Sequence, residues 1–252
     1  MMVIMKNALR ERIRRKELYI VAAIALLLLL LLGSGAATLS IDGKAVTGFS
    51  SMFGVLLSTV NVVSCILAVV LSLKTIPNEY EQKTSHLIWI RGISQCQYHA
   101  QLALANLCSS VFSAGILYLG IVVYTVMHKE FSCLWRLIPA FFVLCVSVAV
   151  VSSFVSVLSI VLPSFLVGIL GAVCAVTGCF HTLLELLQNI LGGFSGTLLK
   201  GLLIITPDLA SIEKQAENIV FSRSVQLHVI LSGLLAIYII SLGIFVFKRK
   251  EA

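Results

Sequence analysis

Charged residues are scarce in this 252-residue sequence: they make up 12% of it, whereas hydrophobic residues make up 59%. Soluble domains carry about a quarter of their residues as charges, so the composition excludes an ordinary soluble fold. The few charges cluster in short segments between apolar runs, a pattern typical of an integral membrane protein. The formal net charge of +7 therefore bears on membrane orientation and not on nucleic acid.

Motifs for metals and nucleotides are missing as well. The seven cysteines form no CxxC pair, and most fall in apolar runs, which predicts small buried side chains and not a redox or zinc site. His181 and Glu185 lie four residues apart, but two ligands do not make a zinc site. No GxxxxGK[ST] stretch occurs, so we expect no cofactor in this chain.

The sequence does contain apolar runs that approach or exceed the roughly 20 residues a helical span needs. All should be helices, because lipid leaves the backbone of an open strand unpaired. We predict an all-α integral membrane fold, a single domain over residues 1–252. Its six spans are Leu18 to Ala37, Phe53 to Leu73, Leu102 to Val126, Leu137 to Val161, Phe165 to Phe180 and Val225 to Phe247. Residues 181–224 hold apolar pieces too short to cross, which predicts short helices before the last span, either on the outer surface or dipping partway into the membrane.

Basic residues at both ends predict that both termini are cytoplasmic. Within residues 1–17, Met5, Leu9 and Ile13 recur on one helical face, while Arg10 and Arg14 point elsewhere. This pattern predicts an interfacial helix along the inner leaflet of the lipid bilayer.

The connection at residues 74–101 is far longer than a turn between two spans needs. It carries acidic residues and then an apolar group around Trp89, and exposed apolar patches usually mark a contact site. The alternative is an interfacial helix with Trp89 at the membrane boundary. These residues alone leave both interpretations open.

The same connection resembles the permease subunits of type-2 ABC exporters. The resemblance is carried by Ile76, Pro77, Glu79, Glu81 and Thr84, followed by Arg91, Ile93, Ser94 and Tyr98. Lys83 departs from the family, which commonly has glycine there. The resemblance implies that the connection is a coupling helix seated in a separate ATP-binding subunit. The coupling residues would be Glu79, Glu81, Thr84, Leu87, Trp89, Ile90, Arg91 and Ile93.

As the resemblance implies, two such permeases, identical or sister chains, would work with two ABC ATPase subunits that bind ATP and Mg. The chain itself would be a non-catalytic permease in a bacterial plasma membrane. It would export an amphipathic compound such as an antimicrobial peptide, a toxin peptide or a drug-like molecule.

Polar residues inside the predicted spans are candidates for the translocation path, since lipid cannot pair them. They are Ser58, Asn61, Ser64 and Asn106. The alternative role is hydrogen bonding between helices. No charged residue falls at the centre of a span, which favours an externally powered device over ion coupling.

Two other functions are weighed against export. Ser195 in a GxSG motif, His228 and the Trp135–Arg136 pair resemble parts of rhomboid intramembrane proteases. However, Ser195 falls outside the predicted spans, and the His and Asn pair of such enzymes is missing. The third possibility is a non-transporting membrane partner or sensor. Only the connection that resembles a coupling helix argues against this function.

Overall fold

The fold was analysed in a computed structural model. It describes residues 3–14, 23, 27, 40–41, 44–45, 48–73, 75–77, 94–191 and 193–246. The helices in this part of the chain are α1 (Val3–Arg14), α2 (Phe49–Leu73), α3 (Gln95–Met127), α4 (Phe131–Val161), α5 (Ser164–Cys179), α6 (His181–Ile190), α7 (Gly193–Ile205), α8 (Leu209–Val220) and α9 (Leu227–Val246). Strands β1 (Ser40–Ile41) and β2 (Lys44–Ala45) pair antiparallel, with Ser40 opposite Ala45.

Local sequence explains where several helices begin and turn. The Ser94 side chain accepts a hydrogen bond from the Gln97 backbone N–H and caps α3, and Asp208 caps α8 by accepting from the Ser211 N–H at 2.9 Å. Lys129 has a φ of 59° in the tight turn between α3 and α4. Pro163, which cannot continue a helix, separates α4 from α5.

Four helices are long and apolar enough to cross a membrane: α2, α3, α4 and α9. They match the second, third, fourth and sixth predicted spans, and α2, α3 and α4 each begin several residues before the predicted start. The first predicted span lies almost wholly outside the described residues. The described residues therefore contain four candidate membrane spans. The number is five if the bent pair of α5 and α6 counts as one span.

The fifth predicted span, Phe165 to Phe180, corresponds to α5. With 16 residues, α5 is about 24 Å long, shorter than the roughly 30 Å hydrocarbon core of a bilayer. An 80° bend then leads into α6. As a complete straight crossing this span stays a prediction.

Helix α5 follows only half of α2. Methyl groups added at Gly168 and Gly171 would lie 3.5 Å from Leu73 and 3.0 Å from Val69, so these parts of the two helices are adjacent. The end of α5 reaches Cys179, whose sulfur lies 4.0 Å from the Asn61 amide nitrogen. Asn61 is the central residue of the 25-residue α2. Helix α5 therefore stops beside the middle of α2.

Helix α8 continues where α5 stops. A methyl group added at Gly178 would lie 2.8 Å from both Leu209 and the Pro207 carbonyl oxygen. Farther along, Glu217 of α8 faces Gly54 of α2, and Phe221 just beyond α8 packs against the Phe53 ring at 5.3 Å. We call α5 and α8 together the split column. Its halves are joined through α6 and α7, which pack against each other.

The bundle has two ends, which we call the Tyr98 end and the His128 end after the two ends of α3. At the Tyr98 end, one apolar cluster joins residues of α3, α4 and α9 with α1 and with Ile76, which lies just beyond α2. Its buried members are Ile76, Tyr98, Leu102, Val157, Ile160 and Ile244, and Ile4 and Ala8 of α1 pack against it. The predicted interfacial helix thus exists as α1 but docks on the bundle through Ile4 and Ala8. Met5 and Leu9 are half-buried, and Arg10 is exposed.

Candidate functional site at the split column

A carboxylate reaches the middle of the bundle at the split column. Glu213 of α8 accepts a 2.9 Å hydrogen bond from the Asn61 side-chain amide, and its other oxygen accepts one from the Ser58 hydroxyl. Asn61 is fully buried, whereas Ser58 lies on an exposed face of α2. The carboxylate therefore has one side toward the protein interior and one side toward an open surface. We call Ser58, Asn61 and Glu213 the Glu213 site.

No basic side chain in the described part of the chain forms an ion pair with Glu213. Glu217, one helical turn away, is different, because Arg223 lies 3.4 Å from its carboxylate. Burial raises the pKa of Glu213 above its ordinary value, the hydrogen bonds from Ser58 and Asn61 oppose that rise, and the nearby Glu217 charge adds to it. Glu213 thus sits where a negative charge is costly.

Apolar packing holds α8 in place. Leu209, Ile212, Ala216 and Val220 recur along one face and are all buried, and α8 packs chiefly along α4. On α9, a methyl group added at Gly233 would lie 2.9 Å from Ile212, so the glycine allows α9 to approach α8 closely. This packing fixes the position of the Glu213 backbone.

Polar contacts fasten the segment that follows α8. The buried Gln215 side chain accepts a 2.8 Å hydrogen bond from the Gln226 backbone N–H, ahead of α9. The Arg136 side chain donates to the Val220 carbonyl at the end of α8, where a cation also complements the helix dipole. The Glu213 site is therefore built on an anchored helix and not on a loop.

The structure brings together two of the four predicted path residues, Ser58 and Asn61, through Glu213. Ser64 lies one turn beyond Asn61 on α2; it is 1% exposed, and its hydroxyl has no hydrogen-bond partner among the described residues. Asn106 belongs to a different contact, since its amide donates a 2.8 Å hydrogen bond to Ser156 and so joins α3 to α4. Asn106 therefore makes an interhelical hydrogen bond, the alternative role that sequence analysis left open.

Other predicted residues lie elsewhere. The eight coupling residues between Glu79 and Ile93 lie outside the described residues, as do the side chains of Ile13 and Arg14. The His181 side chain, 12% exposed, approaches the exposed Glu185 carboxylate to 3.5 Å on α6. No group of three metal-ligand side chains occurs in the described ranges. Ser195 lies on α7, and His228 lies in the first turn of α9.

Sequence reasoning missed Glu213. No charged residue falls at the centre of a predicted span, but Glu213 supplies a carboxylate there, so the argument against ion coupling no longer holds. Helix α8 lies outside those spans and still packs beside the centre of α2. A signal was present, because Glu213 lies four residues after Leu209 and three before Ala216, on the apolar face of an amphipathic helix.

The described helices are consistent with an all-α membrane protein, because four of them are long and apolar enough to cross a membrane. No protein-family model matches the sequence. No curated protein matches it. The functional argument therefore depends on the residues and geometry of the chain itself.

Proposed function

We propose that this chain is the membrane permease subunit of an ATP-driven exporter. It would be coupled to a separate ATPase through the connection predicted at residues 74–101, of which residues 78–93 form the middle part between Ile76 and Tyr98. The main observation in support is that the residues on both sides of this middle part are buried in the same apolar cluster. Ile76 precedes the connection, Tyr98 follows it, and both are 0% exposed in the apolar cluster of the Tyr98 end. A segment that receives force from a partner needs firm attachments of this kind on both sides.

The cluster spreads such a force through the bundle. Besides Ile76 and Tyr98 it includes Ile160 of α4 and Ile244 of α9, so the segment that follows α2 meets three long helices there. Close-packed side chains transmit displacement because they leave few voids to absorb it. Movement of the connection would therefore shift α2, α3, α4 and α9 together, which is what a permease driven from one end requires.

The polar Glu213 site lies where a translocated molecule would be handled, beside the centre of α2. In transporters, sites near the membrane midplane are often made by interrupted helices. The split column has such an interruption between Cys179 and Leu209. This placement favours transport over a purely structural or sensing role.

The test is co-purification of a soluble ABC ATPase with the full-length chain in its native membrane. Trp89→Asp combined with Ile90→Asp should abolish co-purification, because two charges would enter the apolar contact surface. The matched control is Trp135→Asp, since Trp135 is 82% exposed at the His128 end of the bundle. The control should retain the ATPase. Equal ATPase recovery with both variants, or none with the native chain, would refute the proposal.

A further inference from the structure

The Glu213 carboxylate lacks a counter-charge in the described part of the chain, although it lies beside the bundle centre. An ionised carboxylate removed from water without a cation is unfavourable, and proteins respond by protonating it or by pairing it. The two protein donors, Asn61 and Ser58, are neutral. They orient the carboxylate oxygens but do not neutralise the charge.

The site is also open to a ligand. Ser58 is exposed, so the oxygen that it contacts lies at the border of the buried region. Each carboxylate oxygen has a second lone pair, which leaves room for a further N–H donor. The Ser64 hydroxyl, one turn beyond Asn61 on α2, is buried without a partner among the described residues. A small polar group arriving from the Ser58 side would meet the remaining lone pairs of the Glu213 carboxylate.

We propose that the Glu213 site binds the primary ammonium group of an amphipathic cation. Glu213 supplies the charge, Asn61 fixes the carboxylate orientation, and Ser58 lies at the entrance. The apolar part of the ligand would lie beside Ser58 on α2, against Val55 and Val62, which are half-buried one helical turn to either side. This inference rests on the proposed function, because it takes the bound cation to be the transported substrate.

The experiment uses the purified full-length chain in nanodiscs of neutral phosphatidylcholine, without any ATPase. Binding of radiolabelled dodecylammonium is measured against uncharged dodecanol, with empty nanodiscs as background. Glu213→Gln keeps the shape and hydrogen-bonding capacity but removes the charge, and should weaken dodecylammonium binding at least tenfold. Glu130→Gln is the matched control, because Glu130 is an exposed carboxylate at the start of α4 and its side chain makes no capping hydrogen bond there. It should bind as the native chain does.

Equal dodecylammonium binding by the native chain and Glu213→Gln would overturn the inference, as would equal affinity for dodecanol and dodecylammonium in the native chain. If Glu213→Gln does not fold, the native chain provides the answer by pH titration. Protonation of Glu213 removes the attraction, so binding should fall on acidification, and binding that does not change with pH would overturn the inference. Because the assay contains no ATPase, its outcome is independent of the co-purification test of the exporter function.

Discussion

Replacing Gly178 tests whether α5 and α8 meet as a split column. An alanine methyl at this position would lie 2.8 Å from the Pro207 carbonyl oxygen and 2.8 Å from Leu209. The best separation between non-bonded carbon atoms is about 3.5 Å or more, so the added methyl group must push the end of α5 away from the start of α8. The obstacle at Pro207 is backbone, which cannot move aside by changing a rotamer.

Gly201→Ala is the matched control, because Gly201 is also helical and a methyl there meets nothing within 4 Å. Both variants gain the same helix propensity, so that contribution cancels when they are compared. The remaining difference is overpacking at the junction, typically about 1–3 kcal/mol. At about 2–4 °C per kcal/mol for a chain of this size, Gly178→Ala should unfold roughly 2–12 °C below Gly201→Ala.

The assay is thermal unfolding of both purified variants in the same detergent, followed by loss of the monodisperse peak in size-exclusion chromatography. A lower unfolding temperature for Gly178→Ala supports the junction. Unfolding of the two variants at the same temperature would show that Gly178 is not pressed against Pro207, and would refute the argument that α8 continues from the end of α5.

Three further predictions address other contacts. Burial raises the pKa of Glu213, so between the ordinary and the raised pKa the folded chain holds a proton that the unfolded chain loses. The free energy of unfolding should therefore increase as the pH falls through that window. Glu213→Gln should remove this pH dependence from the thermal unfolding temperature. A double-mutant cycle of Asn106→Ala and Ser156→Ala should give a coupling of about 0.6 kcal/mol, and a value near zero would contradict their hydrogen bond. Ser195→Ala should leave export by the intact complex unchanged; a lost proteolytic activity would instead favour the protease alternative.

Much of the helical framework was predictable from the sequence, because long apolar runs have few structural alternatives in lipid. The spans at α2, α4 and α9 were predicted within several residues of their observed ends. The start of α3 was missed by seven residues, since Gln95 to Gln101 is polar in part and hydropathy does not recognise it as helix. There the helix depends on the Ser94 cap and on burial of Tyr98.

The candidate site was only half predictable. Asn61 and Ser58 were identified because polar atoms in an apolar span need partners. Their partner was not, since Glu213 is 152 residues from Asn61 in sequence and lies on a helix too short to cross a membrane. Hydropathy measures each segment by itself. The position of α8 depends on the surface that α2, α4 and α5 form together. That surface cannot be predicted from the hydropathy of any one segment.

Helix α8 has a consequence for how the chain is assembled. Its 12 residues include Glu213, Lys214, Glu217 and Asn218, a composition that would not partition into a bilayer unaided. We therefore expect the long apolar helices to insert into the bilayer first. Helix α8 would then pack into the groove that they form, as the last step of folding.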